Sequence, residues 1–244
     1  MKKTYKNILV YSGGEAIGDA LYKLNFIQNL RYNFPDSNIT WLAGQGETEY
    51  SKTLKPIIKG LINKVIDDIK IGSKPLSEIF KASPLKEKYD VIIDTQTVVL
   101  PTFILKKIKH TVFLSATAKW FFSDLKPTNF PIKTSSFNDR LNQFILLLKN
   151  DKMQYFKESI ILEKKFLNLA NQLLPIGNDY IGISPGAGDK SKIWPIRKFI
   201  KLAQMQVRKK RIPVFFLGPN EIKLLDLIKK EVPEAIFPEW TDLA

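Results

Sequence analysis

Short apolar runs alternate with segments of helical spacing along most of the chain. Asn7–Ser12 reads as a buried strand. Behind it, Ile17, Leu21, Leu24, Ile27, Leu30 and Phe34 recur at intervals of three and four, which predicts a helix with one apolar face. Pro35-Asp36 ends that helix, and Ile39–Ala43 is the next strand. Further strands are predicted over Lys64–Ile69, Val91–Asp94 and His110–Leu114, with a helix over Pro101–Ile108. Residues 115–136 break the rhythm. Ser, Thr, Pro and Lys dominate, Trp120, Phe121 and Phe122 interleave, and the stretch reads as a long loop in which aromatic anchoring is the ordinary role. Helix resumes at Phe137–Asn150, with Leu141, Phe144, Ile145 and Leu148 as its apolar positions.

The charged stretch Asn150–Lys157 leads out of this first series, followed by a short strand over Ser159–Leu162 and a helix over Phe166–Leu174. Pro175-Ile176-Gly177-Asn178 is a breaker. A second series follows: strand Tyr180–Ser184, helix Pro195–Arg208, strand Pro213–Leu217, helix Glu221–Glu231. Strand followed by helix, repeated, predicts an α/β fold with parallel sheets under helices. Two such series predict two Rossmann-like lobes facing a cleft: residues 1–150, a connection over 151–177, and a smaller lobe over 178–244 that ends where a third strand would form.

Composition narrows the chemistry. The 244 residues contain no cysteine and one histidine, His110, which removes disulfides, thiolate metal sites, cysteine nucleophiles and multi-histidine metal sites. His110 itself is read as packing beside a strand. No apolar run approaches the ~18 residues of a membrane span, and Ile8-Leu9-Val10-Tyr11 is too short for a signal-peptide core, so the reading is cytoplasmic. Lys and Arg number 38 against 24 Asp and Glu, a formal charge of +14 that points to an anionic partner. Only five of the basic residues are arginines, and the lysines are dispersed, so nucleic acid is not the expected partner. Loose attraction to an anionic membrane face fits better.

Four constellations could carry chemistry. Ser12-Gly13-Gly14-Glu15-Ala16-Ile17-Gly18-Asp19 joins the first strand to the first helix at the edge where such sheets place ligands. It lacks the phosphate-binding glycine spacing, and Glu15 and Asp19 would repel a phosphate. Asp19 lies off the apolar stripe and is suited to taking a proton from a hydroxyl; complementing the helix dipole is the competing role. Ser184-Pro185-Gly186-Ala187-Gly188-Asp189-Lys190-Ser191-Lys192 precedes Pro195 at a helix start and predicts a diphosphate cradle from backbone N–H groups and lysines. Glu221, in Gly218-Pro219-Asn220-Glu221, is placed to accept hydrogen bonds from a ribose or base, or serves only as a first-turn acid. Asp94 and Gln96 close a strand and are expected to point into the same cleft as Asp19, with capping as the alternative for Asp94. Asp67-Asp68 lacks the Asp-x-Asp spacing of a metal-bound sugar-nucleotide site and reads as a solvated turn.

Taken in order, these segments resemble glycosyltransferase family 9, the ADP-heptose:lipopolysaccharide heptosyltransferases. The resemblance runs through Ile8-Leu9-Val10 to Gly18-Asp19, Phe34-Pro35-Asp36, Ile39-Thr40-Trp41-Leu42 and Tyr89–Gln96. It is strongest at Pro185-Gly186-Ala187-Gly188, Lys192-Ile193-Trp194-Pro195 and Leu217-Gly218-Pro219-Asn220-Glu221. It implies a GT-B fold in which the first lobe binds the acceptor and the second binds ADP-heptose. It implies an inverting, metal-independent transfer to a lipopolysaccharide core acceptor at the inner leaflet, with no cofactor beyond the nucleotide-sugar substrate. By position, Asp19 would be the general base and Lys192 would hold the donor diphosphate. Glu221 would contact the donor nucleoside. Ser184, Gly186, Ala187, Gly188 and Lys190 complete the donor side, and Gly18, Asp94 and Gln96 line the acceptor side. The family continues with an Asp-x-Gly-x-x-His-like donor motif that has no counterpart before Ala244, so a shortened second lobe is expected. A chain that binds nucleotide or glycan without catalysing transfer is the alternative.

Overall fold

The computed structural model describes residues 4–67, 69–71, 82–128, 136–150, 152–157 and 164–239. The chain forms two compact units, Met1–Ile160 and Ile161–Ala244.

The first unit is built on five parallel strands: β1 (Asn7–Ser12), β2 (Asn38–Ala43), β3 (Lys64–Ile66), β4 (Tyr89–Asp94) and β5 (His110–Ser115). Their order is β3-β2-β1-β4-β5. β1 is central, with Val10 opposite Trp41 on one side and Ile93 on the other. Its side chains alternate between two cores, as the two-residue period of a strand requires. Ile8 and Val10 join α1 (Ile17–Asn33) and α4 (Phe137–Leu148), while Leu9 and Tyr11 join Ile104, Leu105 and Ile108 at the end of α2 (Val99–Leu105). A sheet covered on both faces explains why its strands read as continuous apolar runs.

Two expectations change here. Along α1, Ile17 and Leu21 are 44% and 42% exposed, and the buried stripe runs through Ala20, Lys23, Leu24, Ile27 and Leu30. In the first turns the inward positions belong to Ala20 and Lys23, whose ammonium donates to Ser12 and Glu15. The stretch after β5 is also more ordered than a plain loop. It forms α3 (Thr117–Trp120), a turn in which Ala118, Lys119 and Trp120 hold left-handed backbone angles, at about 1–2 kcal/mol each. Trp120 packs on Phe144, and the chain then runs back along the sheet's edge strand, with Asp124 N–H donating to Phe113 O at 2.8 Å. That return covers part of an otherwise open edge. His110 sits against Phe113 as expected. Asp67 accepts from the Thr48 N–H, while Asp68 and the strand expected over Ser159–Leu162 lie outside the described residues.

The second unit contains α5 (Lys164–Leu173) and the parallel pair β6 (Tyr180–Ile183) and β7 (Ile212–Phe215), with α6 (Ile196–Arg208) and α7 (Leu225–Glu231). Ile200, Ala203 and Ile228 close its core over Ile183 and Phe215. A third parallel neighbour begins at Ile236, which exchanges backbone hydrogen bonds with Pro213 and Phe215. The helix expected over Glu221–Glu231 opens instead as a 3-10 turn, Ile222–Leu224.

Candidate active site

The first sheet edge is shaped by the turn after β1. Gly14 has φ +110°, a left-handed angle that suits only glycine, and a Cβ there would come 3.2 Å from Glu47 O. The turn drives Glu15 inward, where its side chain is fully buried. Glu15 Oε1 lies 2.9 Å from Lys23 Nζ, which also donates to Ser12 Oγ at 2.7 Å. Glu15 therefore does not face the ligand side, and its charge is neutralised inside the fold. Its second oxygen, Oε2, is buried with no hydrogen-bond partner among the described residues. Four residues on, Asp19 is exposed in the first turn of α1. The helix has no side-chain cap at Ala16, so its first N–H groups and their partial positive charge stay at this edge. Gly18 is exposed and leaves open space where a side chain would stand.

Asp94 departs from its expected orientation. Its carboxylate is fully buried rather than aimed at a cleft. Oδ2 accepts from Thr102 Oγ1 at 2.6 Å and from Ser115 Oγ at 2.8 Å, and Oδ1 accepts from the Gln96 N–H at 3.0 Å. Burial pushes its carboxyl up to about 6, against the opposing pull of these hydrogen bonds. The residue ties the ends of β4 and β5 to α2, which is a positioning role. Tyr11 is its partner on the neighbouring strand β1, with its ring against Gly44 where no Cβ has room. Burial and the Asp94 charge push the Tyr11 phenol up. Gln96, by contrast, is half-buried at the rim. A Cβ on Gly13 would sit 3.8 Å from its amide carbon and 4.0 Å from Gln45 Oε1, so Gly13, Gln45 and Gln96 share one edge. Sequence reasoning missed Gln45. Its position two residues past the end of β2, one strand over from the glycine turn, was the available signal.

In the second unit the corresponding edge gathers the turns after β6 and β7. Glu221 is half-buried between them. A Cβ on Gly186 would come 2.7 Å from Glu221 Cδ, and one on Gly218 would come 2.6 Å from Glu221 Oε2. Both glycines are thus needed for the carboxylate to stand where it does. Ser184, Ala187 and Gly188 are exposed around it. The chain then forms a 3-10 turn, Lys190–Lys192, fixed by Asp189, whose Oδ1 accepts from the Ser191 N–H at 2.8 Å. These bonds hold the Asp189 carboxyl below its ordinary range. The turn leaves the Lys190 and Lys192 side chains exposed beside the uncapped start of α6. Backbone N–H groups, two ammonium groups and a helix start are the parts of an anion site, and the adjoining carboxylate accepts hydrogen bonds. Among the described residues, no three acidic or histidine side chains converge as a metal site, and no helix is long and apolar enough to cross a membrane.

Comparison with known proteins gives this arrangement a context. The family model for glycosyltransferase family 9 (heptosyltransferase) matches residues 81–240. None of the curated proteins matches the chain. Among solved structures, a glycosyl transferase family 9 protein from Veillonella parvula is similar with a TM-score of 0.65 at 20% identity, over 97% of this chain and 70% of that one. The E. coli heptosyltransferase WaaC with ADP-2-deoxy-2-fluoro heptose gives 0.60 at 15% identity, covering 97% and 77%. E. coli ADP-heptose lps heptosyltransferase II gives 0.51 at 15%, covering 95% and 72%. The likeness is one of fold, the GT-B type with parallel α/β units. With the family model spanning well over half of its residues, the chain belongs to glycosyltransferase family 9, the heptosyltransferases.

Proposed function

We propose that the protein transfers a heptose, or a similar sugar, from ADP-heptose to a lipopolysaccharide core acceptor, by an inverting route that uses no metal. The observation that carries this reading is the division of labour at the first edge. Glu15 is buried and paired with Lys23, while Asp19 stands exposed at the same turn. Asp19 takes the proton of an acceptor hydroxyl. The oxygen forms a bond to the donor's anomeric carbon as the bond to the diphosphate breaks on the opposite face, and ADP leaves. Lys190, Lys192 and the backbone of Gly186–Gly188 take up the charge that develops on the diphosphate. Glu221 accepts hydrogen bonds from the donor nucleoside. Gly18, with its open surface, and Gln96 face the acceptor, while Asp94 holds that edge in place from within. The acceptor is an anionic lipid-linked glycan at the cytoplasmic face of the inner membrane, which suits a chain of charge +14. The names of two similar structures, both heptosyltransferases and one bound to a fluorinated ADP-heptose, support the choice of donor.

Turnover and ADP binding, measured side by side in Asp19→Ala, test the assignment. A general base contributes ~10²–10⁴-fold, so turnover falls by at least ~10²-fold while ADP titrates as in the wild type. Undiminished turnover overturns the role of Asp19. ADP binding without turnover in the wild type favours a binding protein instead.

A further inference from the structure

We propose that an aromatic patch on the first unit, formed by α2 and the turn after β5, docks the protein on a bilayer of anionic lipid. This rests on the membrane-borne acceptor proposed above and identifies the surface that meets the membrane. Val99 and Phe103 are 48% and 42% exposed and lie one helical turn apart on α2, with Val98 exposed just before them. The Phe103 ring meets Phe122 edge-on at 4.9 Å, and Phe122 meets Phe121 at 5.2 Å. Phe121 is 71% exposed. Single exposed apolar residues are ordinary, but rings in mutual contact make a continuous patch.

The display is held rigidly. Trp120 is buried against Phe144, and the three left-handed residues Ala118, Lys119 and Trp120 turn the next residue outward. Asp124 and the buried Ser123 then fasten the returning chain to β5. Lys106 Nζ donates to Phe122 O at 3.0 Å, and Lys119 and Lys126, on either side of Phe121-Phe122 in the chain, are exposed. The adjacent acid, Asp124, is engaged by the Phe113 N–H. Aromatic rings favour the headgroup level of a bilayer, and lysines favour anionic headgroups. A second copy of the chain would bring +14 against +14, which disfavours self-association through this face. The patch starts two residues after Gln96, so it adjoins the acceptor edge of the sheet.

Cosedimentation of the full chain with vesicles of phosphatidylcholine and phosphatidylglycerol in equal parts provides the test. The wild type sediments with these vesicles and much less with phosphatidylcholine alone. Phe121→Ser, at an exposed position, lowers partitioning about tenfold or more, the scale of losing one apolar side chain of contact, with an unchanged melting temperature. The pair Lys119→Glu and Lys126→Glu lowers it comparably and more so at low salt. Equal partitioning of Phe121→Ser and wild type overturns the proposal, as does a dimer in solution that Phe121→Ser dissolves. Turnover on an acceptor dispersed in detergent is measured separately. Normal detergent turnover with Phe121-independent vesicle binding refutes the patch alone. Phe121-dependent binding with no turnover on any acceptor supports the patch and refutes the transferase reading.

Discussion

Replacing Gly186 with alanine tests the donor edge at its tightest point. The backbone at Gly186 lies outside the left-handed region, so alanine is conformationally permitted there. The new methyl would stand 2.7 Å from Glu221 Cδ and 2.8 Å from Oε2. Carbon atoms settle at about 3.5–4.0 Å, so the carboxylate must retreat by roughly 1 Å. A retreat of that size carries a hydrogen bond of ~2.9 Å beyond bonding range. Hydrogen bonds to a charged group contribute about 1.5–3 kcal/mol, which corresponds to ADP binding weakened roughly 10- to 150-fold. Folding should not suffer, because glycine-to-alanine at a compatible site stabilises by about 0.4–1 kcal/mol through the unfolded chain. Calorimetric titration with ADP and thermal melting separate the two effects. The double variant Gly186→Ala with Glu221→Ala sharpens the test: if the methyl acts only through Glu221, the pair binds ADP no worse than Glu221→Ala alone. Additive losses, or wild-type affinity in Gly186→Ala, would refute the reasoning.

Other expectations concern the first unit. Lys23→Met leaves the Glu15 carboxylate buried without its partner, and urea denaturation should show a loss of about 3–5 kcal/mol, largely recovered when Glu15→Gln is added. Equal stability of Lys23→Met and the wild type would show that the pair is not buried as described. Asp94 titrates near 6 in the folded protein, above its ordinary value. Its folded-state proton therefore stabilises the protein fully below about pH 4, and that contribution, on the order of 3 kcal/mol, is lost as pH rises through about 6. Asp94→Asn should gain on the wild type in melting temperature across that window, whereas parallel pH profiles would contradict the burial. Gly44→Ala should destabilise the fold, because its Cβ meets the Tyr11 ring; an unchanged midpoint in urea would show that the ring can move away.

The order of elements was legible because a two-face-covered parallel sheet leaves apolar strands separated by punctuating turns. The turns after β1, β6 and β7 stood out by their glycines, and the one after β6 also by its lysines. Orientation was harder to read. Asp94 ends a strand buried on both faces, so alternation along β4 cannot say which way it turns. Its partners are Thr102 and Ser115, eight and 21 residues away and visible only once β4, β5 and α2 are assembled. Lys23 gave no warning either, since a lysine in an amphipathic helix is ordinarily solvated. Only the inward turn at Gly14 supplies the buried carboxylate that draws it into the core. The close fit of Gly186 and Gly218 around Glu221 is likewise a property of two turns brought side by side by β6 and β7.

On the proposed function, Asp19 takes the acceptor's proton and the Lys190–Lys192 turn holds the donor diphosphate. Release of ADP from ADP-heptose, followed with and without a lipid-linked core acceptor in the presence of a metal chelator, tests it most directly. The account predicts ADP release that requires the acceptor, persists in the chelator and yields a product of inverted anomeric configuration. ADP release indifferent to the acceptor, abolished by chelation, or giving retained configuration would contradict it.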